Sequence, residues 1–290
     1  MLTRQRRGTF GGWNVLTLLF GWTAIASLSI DARAQSELPL FDGHIHYSVG
    51  ATQQYSFEQV IGILDGAGIR QALLSSTPND GTIELHRRYP HRFIPELRPY
   101  RKTRDLATWS VERRTWYRDP DTVAFIEDEL KRGIYRGIGE FHLDGVEADT
   151  PVIRRIVQIA AERKLWMHAH SDAEAIDKLF AYDPHARIVW AHAGMSEPPG
   201  VIDRMLARYP ALWADLSYRD VAPGGTLDPE WKSLFLKYPD RFLYGSDTWI
   251  APRWEEVGSL TRNARAWLAQ LPREVAENIA WRNAERIFAK

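Results

Sequence analysis

The sequence predicts an α/β fold, a single closed (β/α)8 barrel of the TIM type with a metal site at the C-terminal strand ends. Eight short apolar runs alternate with helix-period patterns across about 250 residues, the span such a barrel needs. Histidines and acids recur at the C-terminal ends of those runs, the rim where active sites form in this architecture. No glycine-rich phosphate loop follows an early strand, which counts against an open doubly wound sheet.

The first residues stand apart from the fold. Arg4, Arg6 and Arg7 precede an apolar stretch from Gly11 to Ile30, and Ala32-Arg33-Ala34 has the small-x-small form of a signal peptidase site. Residues 1–34 therefore read as a signal peptide, cleaved after Ala34 or kept as an N-terminal anchor, and 35–290 as the barrel domain. Arg6-Arg7-Gly8-Thr9-Phe10 matches a twin-arginine signal imperfectly. Either route exports the chain, and the expected destination is a bacterial periplasm.

Past the leader, Leu40–His46 is the first strand and Ser56–Gly66 a helix, with Phe57, Val60, Ile61 and Leu64 on one face. Gln71–Ser76 is a strand, and a helix runs from about Thr82 to Tyr89. Arg92–Arg98 is the third strand, weakened by Pro95. The polar, aromatic segment from Lys102 to Asp119 is expected to cover one end of the domain. Thr122–Lys131 is a helix and Tyr135–Leu143 the fourth strand. Thr150 caps a helix that opens at Pro151 and reaches Arg163.

Leu165–His170, Arg187–His192, Leu212–Leu216 and Arg241–Asp247 are strands five to eight. Ala173–Tyr182, Val201–Tyr209 and a segment opening at Asp228-Pro229-Glu230 supply the helices between them. Trp254–Leu271 and Glu274–Ala289 close the chain as helices, with a break foreseen in the first.

Composition narrows the chemistry. The 290-residue chain is formally neutral, and a leader carrying four Arg and one Asp leaves a 256-residue domain of charge −3. That balance favours neither nucleic acid nor an anionic membrane surface. With no Cys there are no disulfides and no thiolate ligands, so any metal must be held by imidazoles and carboxylates. The expected partner is a small molecule, with no membrane contact beyond the leader.

The candidate residues follow from strand geometry. Successive strand side chains point to opposite faces, so His44 and His46 project together from the end of the first strand. Glu140 ends the fourth strand, His168 and His170 the fifth, His192 the sixth and Asp247 the eighth. Counting His142, six of the nine histidines lie at strand ends, where random placement would scatter them.

The order His-x-His, Glu, His, His, Asp on strands one, four, five, six and eight resembles the amidohydrolase superfamily of metal-dependent hydrolases. Phe41-Asp42-Gly43-His44-Ile45-His46, Ala191-His192-Ala193-Gly194, Gly245-Ser246-Asp247 and Asn283-Ala284-Glu285-Arg286-Ile287-Phe288 resemble its amidohydrolase-2 branch. The resemblance covers essentially the whole domain. It implies that His44, His46, His170 and His192 bind metal, and that Asp247 binds metal or deprotonates the attacking water. Glu140 stands where many relatives carry a carboxylated lysine that bridges two metals. A glutamate there resembles the deoxyribonuclease-like branch, so one or two divalent ions are implied. Zinc is the first choice, and the donor set also admits Mn, Fe or Ni.

Other readings stay open beside these. His170 is favoured over His168 because it lies nearer the strand's C-terminal end, leaving His168 as a buried partner or the alternative ligand. Glu140 could instead be a buried carboxylate paired with Arg98. Arg98 could bind a substrate carboxylate or form that structural ion pair. His142 could line the pocket or be held in a hydrogen bond, and His86, His91 and His185 read as surface residues. Trp109 and Trp116, in the covering segment, are the candidates for stacking against a sugar, while Trp190 and Trp213 read as packing.

The leading expectation is a hydrolase that uses a metal-activated water on a small-molecule amide, ester or lactone. The alternatives are a metal-dependent non-oxidative decarboxylase of the same family, a phosphodiesterase or nuclease, and a non-catalytic metal-binding protein.

Overall fold

The computed structural model describes residues 38–288. Eight parallel strands follow one another around a (β/α)8 barrel in sequence order: β1 (Leu40–His46), β2 (Ile69–Ser75), β3 (Phe93–Leu97), β4 (Gly137–Leu143), β5 (Trp166–Ser171), β6 (Ile188–Trp190), β7 (Leu212–Asp215) and β8 (Phe242–Leu243). The ring closes where Gly43 N donates to Tyr244 O and Asp247 N to His44 O, each at 2.7 Å. The predicted leader lies outside the described residues. No helix among the described residues is long and apolar enough to cross a membrane.

The main helices are α1 (Val49–Gln54), α2 (Phe57–Gly66), α3 (Asp80–Arg88), α4 (Leu106–Glu112), α5 (Asp121–Glu129), α6 (Pro151–Arg163), α7 (Ala173–Tyr182), α8 (Pro199–Arg208), α9 (Pro229–Lys237) and α10 (Ala251–Leu268). Local chemistry sets their starts. Ser56 and Gln59 form a capping box at α2, and Thr150 and Asp228 accept backbone N–H groups at α6 and α9, each followed by proline. α10 is continuous, against the expected break. The interruption falls in the last segment instead, where a π-helical turn at Asn278–Arg282 separates Arg273–Glu277 from Asn283–Phe288.

Apolar side chains between strands and helices form the main core. A second cluster fills the lower barrel: Phe41, Leu73, Trp166, Val189 and Leu243 pack against Ile287 and Phe288, which plug the N-terminal mouth. Trp166 Nε1 donates to Ile287 O at 3.1 Å, fixing that plug. Strict alternation along β1 would place Phe41 and His44 on opposite faces. A register shift between Asp42 and Ile45 lets one strand supply an apolar floor below and histidines above.

Candidate metal centre

The upper barrel gathers polar groups from the ends of all eight strands. His46 Nδ1 lies 2.8 Å from the Ser75 carbonyl, which can only accept, so Nδ1 carries the proton and Nε2 offers a lone pair. His44 Nδ1 lies 3.2 Å from Asp215 Oδ2 and His192 Nδ1 lies 3.1 Å from Ser217 O, which orients both rings in the same way. The inward nitrogens then meet: His44 Nε2 and His46 Nε2 are 3.0 Å apart.

Carboxylates surround that pair. Glu140 Oε2 is 3.3 Å from His46 Nε2 and 3.6 Å from His44 Nε2. Asp247 Oδ1 is 3.2 Å from His46 Nε2 and 3.7 Å from His44 Nε2, and is buried with no hydrogen-bond donor. On the other side of Glu140, Oε1 lies 2.9 Å from His170 Nδ1 and 3.4 Å from His192 Nε2. Glu140 thus faces one donor group with each oxygen. Several sets of three donors within this cluster are close enough to share a metal ion, among them His44, His46 and Asp247, and His44, Glu140 and His192.

The electrostatics point the same way. Burial alone would push the His44 imidazole down, but Asp247, Asp215 and Glu140 outweigh it and hold its pKa well above the ordinary value. Burial likewise opposes ionisation of Glu140, yet the surrounding histidines keep it well below the usual carboxylate range. Two lone pairs face each other among carboxylates, and the site demands positive charge between them. A divalent cation fits this donor set.

The fifth-strand pair divides cleanly. His170 joins Glu140 and His192, whereas His168 turns away, with Nδ1 3.0 Å from Glu96 Oε2 and Nε2 3.1 Å from Asp215 Oδ2. Burial disfavours charge on His168, but Glu96 and Asp215 overcome it and push its pKa up to about 9. Glu96 and Asp215 were not singled out from the sequence. Asp215 also accepts from the His192 backbone N–H at 3.1 Å and from the Ser217 hydroxyl, so one carboxylate orients His44, His168 and His192. Its only sequence signal is an acid closing an otherwise apolar strand.

Arg98 is engaged from several sides. Its Nη2 donates to Glu140 Oε2 at 2.9 Å, Nε to Glu140 O at 2.8 Å and Nη1 to Thr77 Oγ1 at 3.0 Å. The structural ion pair is therefore the arrangement observed, in place of a guanidinium free for a substrate carboxylate. His142 does both things foreseen: it lines the cavity, and its Nδ1 lies 3.0 Å from the Tyr100 hydroxyl. His91 and His185 are exposed, while His86 is partly buried, with Nδ1 2.9 Å from Phe93 O.

Two ligand candidates sit beyond the strands assigned to them. β6 stops at Trp190 and β8 at Leu243, so His192 and Asp247 occupy tight turns with φ of 55° and 49°. Ala193, Met195 and Tyr218 share this left-handed region. Such strain persists only where the surroundings over-determine it, and it gathers at functional sites.

The site is the floor of a cavity of about 550 Å³ lined by Arg98, Trp109, Glu140, His142, His170, Tyr218, Asp247 and Trp249 among others. α4 forms part of the wall, anchored by the buried Glu112 carboxylate, which accepts from Lys102 N at 2.9 Å and Thr103 Oγ1 at 2.8 Å. Trp109 reaches the cavity. Trp116 is buried behind it, with Nε1 donating to His142 O at 2.9 Å.

Comparison with known proteins agrees with this architecture. An uncharacterised TIM-barrel protein from Bordetella bronchiseptica is 16% identical with a TM-score of 0.57, covering 92% of each chain. A probable 2-pyrone-4,6-dicarboxylic acid hydrolase from Acinetobacter baumannii, solved with citric acid, is 14% identical with a TM-score of 0.57. That match covers 87% of this chain and 99% of the other. An amidohydrolase from Burkholderia multivorans, solved with bound zinc, is 15% identical with a TM-score of 0.54, over 87% and 99%. At these identities the likeness speaks for the fold alone. No curated protein matches. The amidohydrolase family model does match, over residues 113–290, and with more than half of its length inside that match the chain belongs to the amidohydrolase family.

Proposed function

We propose that this enzyme is a metal-dependent hydrolase that attacks an amide, ester or lactone bond of a small molecule with an activated water. The observation that carries the reading is the convergence of imidazole and carboxylate donors around a buried Asp247 Oδ1, which no hydrogen bond occupies, at the floor of the cavity. His44, His46, Glu140 and Asp247, with His170 and His192 across Glu140, would hold one or two divalent cations. Bound there, such a cation supplies Lewis acidity, making water more acidic and polarising a carbonyl oxygen. Zinc is our choice, supported by the donor chemistry and by the zinc in the Burkholderia neighbour.

The chain's own groups do the rest. Asp247 accepts the proton of the attacking water at its free oxygen and passes it to the leaving group. Asp215 holds His44 in the tautomer that points Nε2 inward, and Arg98 fixes Glu140 between the two donor groups. His44, His46, Glu140 and Asp247 are buried, which strengthens every charge interaction between them.

Elemental analysis of purified protein, together with turnover of an ester, lactone and amide panel in solvent enriched in heavy oxygen, tests the reading. The expected result is a bound divalent metal and one solvent oxygen in the product acid. Turnover that releases carbon dioxide without solvent oxygen would make the enzyme a decarboxylase, and a protein that neither holds nor takes up metal would overturn the proposal.

A further inference from the structure

We infer that the cavity above this centre selects an uncharged substrate with an aromatic ring, and disfavours a dicarboxylate. The inference rests on the hydrolytic reading of the site and names its substrate class.

Charge is the first argument. Among the described residues lining the cavity, Arg98 is the one Lys or Arg, and its three nitrogens already serve Glu140 and Thr77. The carboxylates of Asp105, Glu140 and Asp247 line the same space. A dianionic substrate could bring one carboxylate to the metal, but the other would lose its water and meet no cation.

The walls are the second argument. Leu106, Met195, Tyr218 and Trp249 are large apolar or aromatic side chains exposed by 59%, 40%, 43% and 39%, and all four line this cavity. Large apolar groups left in water at one rim mark a binding surface rather than scattered chance. Trp109 and Trp249 stand with ring centroids 6.3 Å apart, too close to admit a ring between them, so they form one continuous aromatic wall. Trp249 is held by Nε1 donating to Tyr218 Oη at 2.7 Å, and the Arg113 guanidinium lies 5.2 Å from the Trp109 centroid. Fixed rings of this kind offer a flat face that favours offset stacking with an aromatic ligand.

Two isosteric ligands that cannot be hydrolysed separate the ideas: neutral meta-diacetylbenzene and dianionic isophthalate, titrated by calorimetry into the metal-loaded full chain. The neutral ligand is expected to bind more tightly by about tenfold or more, and Trp109→Ala or Trp249→Ala to weaken it by about fivefold to tenfold. Val111→Ala, on the same helix but outside the cavity, should leave binding unchanged. Tighter binding of isophthalate, no detectable binding of the neutral ligand, or full affinity in both tryptophan variants would overturn the inference. Because the readout needs no turnover, the expected binding order in a protein that hydrolyses nothing would instead count against the hydrolase reading.

Discussion

Arg98 and Glu140 are joined twice by one guanidinium: Nη2 holds the carboxylate at 2.9 Å while Nε holds the backbone carbonyl of the same residue at 2.8 Å. Both partners are buried. Arg98→Met should therefore strand Glu140 and cost about 3–5 kcal/mol of stability, read by denaturant unfolding. Arg98→Lys keeps the charge but loses the fork, so metal content should fall even where the fold survives. Unchanged stability in the methionine variant would show that the pair is not a brace.

Asp247→Asn keeps size and removes the proposed base. The expected loss in kcat is roughly 100-fold to 10,000-fold, with circular dichroism unchanged. Full activity in this variant would remove Asp247 from the mechanism.

The two fifth-strand histidines should separate in a paired experiment. His168→Ala leaves Glu96 and Asp215 facing each other without an imidazolium, so stability should drop by about 3–5 kcal/mol. His170 is partly exposed, and His170→Ala should leave unfolding nearly unchanged while metal affinity or activity falls on the order of 10–100-fold. The reverse pattern would exchange their roles.

Chelation supplies a global test. A cation at a hundredfold excess over its Kd adds about 2.7 kcal/mol to a fold that binds it. Removing it should lower Tm, and replacing zinc, manganese or nickel should restore Tm in the order of their affinities. A Tm indifferent to chelator and metal would argue against a cation in the native protein.

Gly245 tests how tightly the floor is packed. A Cβ there would lie 3.1 Å from both Asp215 Oδ1 and His44 Cβ, so Gly245→Ala must displace the carboxylate that orients His44. A loss of about 1–3 kcal/mol is expected, with activity falling further than stability does. Wild-type kinetics would show that the His44–Asp215 contact is dispensable.

Much of this was legible in the residues. The alternation of apolar runs and helix-period segments marks all eight strands, because burial on the barrel wall leaves no choice of residue type. Strand ends were harder. Arg241–Asp247 reads as one strand, yet the regular strand ends at Leu243; beyond it Tyr244 and Asp247 still bond to β1, and Asp42 Oδ1 accepts Ser246 N at 2.9 Å, bending the chain over β1. Glu96 and Asp215 escaped notice because a single acid on a short strand carries no periodic signal. Their meaning lies in His168, which is far from both in sequence. The spending of Arg98 on Glu140 could not be read either, since only the folded distances decide between an ion pair and a ligand clamp.

Thr248 clasps His46 at both backbone groups, its hydroxyl accepting from the N–H at 3.0 Å and donating to the carbonyl at 2.9 Å, across 202 residues of chain. A ribosome releasing this polypeptide exposes the imidazoles long before the segment that completes their cage. Until Thr248 is made, the His46 backbone lacks these two partners, so the donor cluster reaches its folded arrangement only when nearly the whole chain is available.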